Sequence, residues 1–104
     1  MAIIIVATAF PVPEHRDEVI AAFAAAQEKV HASEDGALLY ALHEGPDGRF
    51  VMIEKYTDEA AVAAHQGGEG LAGLIAALDG KLTAPVDVQV LTPLPAGTPE
   101  KGTL

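Results

Sequence analysis

Two tyrosines, one glutamate and one histidine are the residues of this chain whose types and spacing are best suited to proton transfer. Tyr40 lies in one apolar segment, and Glu54 and Tyr56 lie two residues apart in the next. His65 ends the alanine-rich segment that follows. Histidine titrates near neutral pH and can move a proton, and a tyrosine hydroxyl can orient a hydroxyl group of a ligand. These four side chains are therefore the candidate chemical group of the chain.

Each of these residues also has a structural interpretation. A carboxylate on an apolar face needs a partner or a raised pKa. A cross-strand hydrogen bond between Tyr40 and Glu54 would give both side chains a partner. His65 either lies at the mouth of a cavity between helices and sheet or bonds the last carbonyl groups of its own helix. The sequence leaves both interpretations open.

No stronger motif competes with this group. The chain contains no cysteine and no GxGxxG, P-loop, HExxH or GxSxG pattern. The histidines are not paired at metal-ligand spacing, so no metal site is predicted. His15, His31 and His43 are interpreted as solvated or structural, and Arg49 and Lys55 as solvated charges.

A hairpin must position Tyr40 and Glu54. Pro46-Asp47-Gly48 has the composition of a three-residue loop closed by a glycine in the left-handed region. Such a loop predicts the cross-strand pairs Glu44–Phe50, Leu42–Met52, Tyr40–Glu54 and Leu38–Tyr56. Because side chains alternate along a strand, these residues share one face of the sheet.

The flanking segments predict the remaining elements. They are a strand from Ile3 to Phe10, a helix from Pro13 to about Ser33 ended by Glu34-Asp35-Gly36, a helix from Glu59 to Gln66 capped by Thr57 or Asp58, a helical segment from Leu71 to Leu78, and a strand from about Leu82 to Leu91. The order β-α-β-β-α-β predicts an α+β, ferredoxin-like domain with an antiparallel sheet.

Both faces of the predicted hairpin are largely apolar, whereas a sheet with one wet face alternates apolar and polar residues. A chain of 104 residues has too few helices to cover both faces, so the second cover is predicted to be another copy. We expect a homodimer that forms through the sheet faces. One domain is expected over residues 1–93, and residues 94–104 are expected to be a flexible tail or to lie over a partner subunit.

The charge of the chain excludes several partners. A net charge of −9 disfavours nucleic acid and anionic lipid, which both require clustered Lys and Arg. The apolar start from Met1 to Phe10 lacks a basic region and is interpreted as a strand, not as a signal peptide or membrane span. We expect a soluble cytoplasmic protein with no nucleic-acid or membrane partner.

The run from Gly36 to His65 resembles the antibiotic biosynthesis monooxygenase domain family. The resemblance is carried by Gly-Ala-Leu-Leu-Tyr, Phe-Val-Met-Ile-Glu-Lys-Tyr-Thr-Asp and Ala-Ala-His, together with the first strand and the Pro-Val-Pro-Glu helix entry, and it covers roughly residues 3–93. It implies a ferredoxin-like unit that dimerises into an α+β barrel, with an apolar pocket between sheet and helices. Some members oxidise phenols, anthrones or quinols with molecular oxygen and no metal or flavin, and relatives degrade haem.

By this resemblance the catalytic residues are Tyr40, Glu54, Tyr56 and His65, and no cofactor is required. His65 would accept or shuttle the proton, the two tyrosines would orient a substrate hydroxyl, and Glu54 would hold a tyrosine or tune the histidine. Tyr56 stands where the family often has tryptophan, and the chain has neither tryptophan nor asparagine. Three alternatives stay open: a non-catalytic dimeric domain that binds a small hydrophobic ligand, a haem-binding or haem-degrading relative that uses His65, and a lyase or isomerase that uses the same pocket.

Overall fold

The computed structural model describes all of residues 1–104 as four strands and three α-helices. The elements are β1 (Ile3–Ala9), α1 (Arg16–Ser33, preceded by a 3₁₀ turn at Pro13–His15), β2 (Ala37–Glu44), β3 (Phe50–Tyr56), α2 (Glu59–Gln66), α3 (Glu69–Leu78) and β4 (Asp87–Leu91). The strands form one antiparallel sheet in the order β2-β3-β1-β4. This is the predicted ferredoxin-like α+β plan, and the prediction is confirmed.

The core lies between α1 and one face of the sheet, which we call the helix face. Val19, Phe23 and Val30 of α1 follow helical spacing and are buried against Phe50 and Met52 of β3. Leu74 and Leu78 of α3, together with Tyr40, complete this cluster. The helix face therefore carries Tyr40 and the inward-pointing side chains of β3. The sequence alone could not assign which face of the sheet meets the helices.

The hairpin register agrees with the prediction except at its far end. Gly48 adopts the left-handed conformation with φ of 86°, and Tyr40 lies opposite Glu54. Tyr56, however, pairs with Ala37 and not with the predicted Leu38, because a bulge between Ala37 and Leu39 inserts one extra residue. The extra residue is Leu38, whose side chain is 56% exposed. The side chain of Tyr56 still points to the helix face because β3 itself is regular.

The last strand is shorter than predicted. It begins at Asp87, whereas Leu82 makes only an isolated bridge with Pro11. Pro85 lacks a backbone N–H and cannot continue a ladder. α1 lies against β2, and α2 lies against β2 and β3, so the helix packing is concentrated away from β4. Val88 and Val90 are consequently 56% and 64% exposed.

The opposite face, which we call the outer face, carries apolar side chains but no helix. Val6, Ala41 and Ile53 lie there and are half-buried. The chain end approaches this face, where the Lys55 ammonium group donates a hydrogen bond to the Leu104 carbonyl. The division at residue 93 stays a prediction. None of the helices is both long and apolar enough to cross a membrane.

Candidate active site

A cavity of about 300 Å³ lies between the helix face and helices α2 and α3. Eleven of its fourteen lining residues are hydrophobic, among them Leu71, Leu74 and Leu78 of α3. Its polar groups come from Glu54, His65, Gln66 and the hydroxyl of Tyr40. An apolar cavity with a few converging polar groups is the usual form of a small-molecule site.

His65 reaches this cavity from the last turn of α2. The helix begins at Glu59 and is capped by Asp58, whose carboxylate accepts a hydrogen bond from the backbone N–H of Ala61 at 2.9 Å, as predicted for an N-cap. The His65 side chain is buried, and its Nδ1 lies 2.8 Å from Oε1 of Glu34. A carboxylate can only accept, so the proton of a neutral His65 ring lies on Nδ1 and donates to Glu34. Nε2 is then the free basic nitrogen.

Glu54 receives its hydrogen bond from Tyr56 and not from Tyr40. The Tyr56 hydroxyl donates to Oε1 of Glu54 at 2.5 Å, so the predicted cross-strand bond from Tyr40 is wrong. The two partners lie two residues apart on one strand and therefore on the same face. Burial raises the pKa of Glu54, while the Tyr56 hydrogen bond and the nearby His65 act in the opposite direction.

Tyr40 lines the cavity, and its hydroxyl makes no hydrogen bond within the chain, so it is available to a ligand. Its ring centroid lies 5.3 Å from that of His65. Burial, followed by the charges of Glu54 and Glu34, raises the pKa of Tyr40 far above its ordinary value. Tyr40 is therefore a neutral hydrogen-bond donor throughout the physiological pH range.

The structure thus brings all four predicted residues together. The Tyr56 ring centroid lies 5.3 Å from that of His65, and Nε2 of His65 lies 3.8 Å from Oε1 of Glu54. Tyr40, Glu54 and His65 line the cavity, whereas Tyr56 is completely buried behind it. The hydroxyl of Tyr56, whose pKa is raised mainly by burial, acts on Glu54 and has no direct access to a ligand.

Glu34 is the site residue that the sequence analysis missed. It was interpreted only as part of the helix end, but it holds Nδ1 of His65. An available signal was its position at the C-cap of α1, where the helix dipole disfavours a carboxylate. Such an unfavourable placement indicates a local partner or a functional constraint.

The glycine-rich turn after His65 makes room for this pair. A Cβ atom on Gly68 would lie 3.2 Å from Oε2 of Glu34, and one on Gly70 would lie 3.0 Å from Cγ2 of Val30. Oε2 of Glu34 is buried without a hydrogen-bond partner. The glycines therefore allow α3 to approach α1 closely while the Glu34 carboxylate stays in place.

The other histidines lie outside the cavity. His31 of α1 donates through Nε2 to the backbone carbonyl of Tyr40 at 2.9 Å, which ties α1 to β2. Nδ1 of His15 lies 3.0 Å from Oε1 of Glu18, and His43 is exposed on the outer face. No three histidine, aspartate or glutamate side chains are grouped so that they could hold a metal ion.

The fold and the cavity define a class: a ferredoxin-like α+β domain with an apolar ligand cavity and a buried acid–base group. The family described as "Antibiotic biosynthesis monooxygenase" matches residues 2–76. The chain belongs to this family, as the resemblance predicted.

Individual relatives agree with this assignment. "Putative monooxygenase YcnE" from Bacillus subtilis (strain 168) is 39% identical over 80 residues, which cover 73% of this chain and 81% of YcnE. The structure of Rv0793 from Mycobacterium tuberculosis is 30% identical to this chain, with a TM-score of 0.86. The match covers 94% of this chain and 100% of Rv0793. A "putative antibiotic biosynthesis monooxygenase" from Caulobacter crescentus CB15 is 26% identical with a TM-score of 0.82, over 86% of this chain and 87% of its own. Family and relatives support a monooxygenase-like function.

Proposed function

We propose that the protein is a cofactor-independent monooxygenase that oxidises a phenolic, quinol or anthrone-like aromatic compound with molecular oxygen. The observation that carries the proposal is the arrangement of His65 in the cavity wall. Its Nδ1 is held by Glu34 at 2.8 Å, which leaves Nε2 as a base, and the Tyr40 ring centroid lies 5.3 Å from that of the His65 ring. A base and a donor next to an apolar cavity are what deprotonation of such a substrate requires.

The first step is the transfer of a proton from the substrate to Nε2 of His65. Glu34 stabilises the imidazolium that forms, in the same way as a carboxylate supports histidine in other acid–base pairs. The Tyr40 hydroxyl donates a hydrogen bond to the developing substrate oxyanion. The apolar walls exclude water, which strengthens both interactions.

The substrate supplies all electrons in the steps that follow. For an anthrone-like CH₂ group, the carbanion gives one electron to oxygen, and the substrate radical and superoxide combine to form a C–O bond. His65 returns its proton to the peroxide, and loss of water converts the carbon into a carbonyl group. One oxygen atom enters the product and the other leaves as water, so no external reductant is needed.

Glu54 and Tyr56 have supporting roles in this proposal. Tyr56 fixes one oxygen of Glu54, and the same oxygen lies 3.8 Å from Nε2 of His65. Because burial raises the pKa of Glu54, a fraction of its carboxyl groups stays protonated to a higher pH than in water. Glu54 therefore adjusts the electrostatics of the histidine from 3.8 Å away.

We also propose that the protein acts as a homodimer through the outer face. This face is apolar and lacks a helix cover, as described for Val6, Ala41 and Ile53. The cavity opens on the other side of the sheet, so dimerisation would leave the substrate entrance free. A small aromatic ligand and a second copy of the chain are then the two proposed partners.

Haem fits these residues poorly. The cavity of about 300 Å³ is at the small end of ligand cavities, and the His65 nitrogen left for iron has a carboxyl oxygen 3.8 Å away. A binding domain without catalysis would use the same cavity, and oxygen consumption separates that function from the oxygenase.

The proposal is tested by oxygen uptake with naphthohydroquinones and anthrones, after subtraction of spontaneous oxidation. We expect uptake by the wild-type protein, and His65→Ala is expected to reduce it about 10²- to 10⁴-fold, which is the usual contribution of a general base. The control is His15→Ala, because His15 lies outside both the cavity and the outer face. Circular dichroism should show both variants folded.

Two outcomes would contradict the proposal. Wild-type uptake in folded His65→Ala removes the base assignment. Saturable binding of these compounds by a wild-type protein that consumes no oxygen supports a binding domain instead.

A further inference from the structure

We infer that the cavity selects aromatic hydroxy compounds that carry no anionic group, with the hydroxyl at the inner end and the hydrocarbon end at the mouth. The inference rests on the proposed function for the role of the hydroxyl, but it concerns binding and can be measured without turnover. It is carried by the distribution of charged groups around the cavity.

The buried polar groups of the cavity lie on one side. Tyr40, Glu54 and His65 meet at the inner wall, where their rings and carboxyl groups contact one another. Apart from Gln66, which is exposed, the remaining lining is apolar, and it ends at the exposed side chains of Ile75 and Val88. A bound ring therefore has one buried polar environment for a hydroxyl and a largely apolar environment elsewhere.

No cationic side chain lines the cavity. Most of the cations have partners elsewhere: Arg16 pairs with Glu44, Lys29 with Glu69, Arg49 with Asp47, Lys81 with Glu18, and Lys55 with the Leu104 carbonyl. The chain has six lysine and arginine residues, and the sixth is Lys101, in the final segment. A carboxylate or sulfonate entering the cavity would therefore lose its water without gaining a counter-charge, which is costly.

The only positive charge available inside is the proton that His65 accepts. That charge lies at the inner wall, between Glu34 and Glu54, and can balance one substrate oxyanion. It cannot also balance a second anion at the mouth. The net charge of −9 for the whole chain further disfavours anionic ligands.

Binding is tested with a matched pair of fluorescent probes at pH 7. 6-Hydroxy-2-naphthamide and 6-hydroxy-2-naphthoate have the same shape and the same hydroxyl, but only the second carries a negative charge at the opposite end. We expect the amide to bind at least about tenfold more tightly than the carboxylate, as measured by fluorescence titration. Plain 2-naphthol serves as the reference ligand.

A cation at the mouth should reverse this preference. Ile75 lines the cavity and is 63% exposed, so Ile75→Lys can place an ammonium group at the outer end of the ligand. We expect this variant to bind the carboxylate at least as tightly as the amide. Val88→Lys, at the other side of the mouth, is a second variant with the same expected effect.

The matched control is Val90→Lys. Val90 lies one pleat further along β4, is 64% exposed and does not line the cavity. The Val90→Lys variant changes the net charge by the same amount as Ile75→Lys. Because its new charge lies outside the cavity, the preference for the amide should stay close to that of the wild type. This control separates charge in the cavity from charge of the whole molecule.

Three results would overturn the inference. They are a carboxylate that binds wild-type protein within threefold of the amide, a Val90→Lys effect as large as that of Ile75→Lys, and the absence of binding for both probes. Tight and selective binding of the amide by a protein that consumes no oxygen would instead remove the proposed oxygenase function and leave the inference in place.

Discussion

The pairing of Glu34 with His65 is the contact on which the proposed chemistry depends. Without the carboxylate, the neutral imidazole would distribute its proton between both nitrogens, and the base would face the cavity only part of the time. The contact joins the end of α1 to the end of α2. It makes Glu34 a positioning residue, since the cavity lining does not include it.

Glu34→Gln tests this role. We expect kcat to fall about tenfold to a hundredfold, less than the loss of the base itself, because the amide can accept from Nδ1 but cannot stabilise the imidazolium. Nitrogen-15 NMR of the His65 ring should show a shift of its proton occupancy between Nδ1 and Nε2. Glu28→Gln, on the exposed side of α1, is the control. Unchanged kcat together with an unchanged ring spectrum would show that Glu34 has only a structural role.

Burial of the Glu54 carboxyl should make stability depend on pH. Its pKa is raised above the ordinary value of 4.5, so below that value the group is neutral in both folded and unfolded chains and contributes no difference. As the pH rises through this value toward the raised pKa, the unfolded chain releases its proton first, and the folded state loses stability.

Glu54→Gln removes this loss and keeps an acceptor for the Tyr56 hydroxyl. We expect a melting temperature a few degrees above that of the wild type at pH 7.5, and equal values at pH 4. Differential scanning calorimetry at the two pH values measures both. A gain of the same size at pH 4, or a loss at pH 7.5, would show that the carboxylate is not the destabilising group.

At the scale of the elements, the short helix α2 decides where His65 lies. It has eight residues, so its direction depends on its cap at Asp58 and on its contact with the preceding chain. Gly36, just before β2, is that contact: a Cβ atom there would lie 2.5 Å from Cβ of Ala61. The absence of a side chain at Gly36 therefore allows α2 to pack close to the sheet.

Gly36→Ala should displace α2. We expect a loss of about 1 to 3 kcal/mol of stability, as for other overpacked sites, and a weaker Glu34–His65 contact. Gly73→Ala is the matched control, because a Cβ atom at this exposed position of α3 would meet nothing within 4 Å. It should stabilise the protein by up to about 1 kcal/mol through helix propensity. Chemical denaturation measures both, and equal effects of the two changes would contradict this explanation.

At the scale of the whole molecule, the two faces of the sheet have different tasks. The helix face forms the core and the cavity, whereas the outer face is apolar and has only the chain end near it. An apolar face of this kind is typical of a surface that a partner covers. The predicted homodimer would bury it and leave both cavities open.

Ile53→Glu should disrupt this dimer. Ile53 lies at the centre of the outer face, on β3, where a partner copy would bury the added charge in an interface. We expect a monomer by multi-angle light scattering at concentrations where the wild-type protein is a dimer. Ile75→Glu, which places the same charge on the helix side, should stay dimeric. A monomeric wild-type protein, or a dimeric Ile53→Glu variant, would contradict the assignment of the interface.

Much of the fold was predictable because its signals are local. The turn at Pro46-Asp47-Gly48 defined the loop length, and the loop length placed Tyr40 opposite Glu54, as observed. Two errors have equally local causes: a bulge at Leu38 that no turn signal announces, and Pro85, which shortens β4.

The candidate site was only partly predictable because it depends on contacts between distant segments. The sequence by itself determined the alternation that places Tyr40, Glu54 and Tyr56 on one face, since side-chain direction along a strand follows from backbone geometry. Only the tertiary structure decided that α1 and α2 cover this face and that Glu34 reaches His65 across 31 positions of the chain. Packing of whole elements, rather than any local preference, brings those two side chains together, and the proposed chemistry depends on that packing.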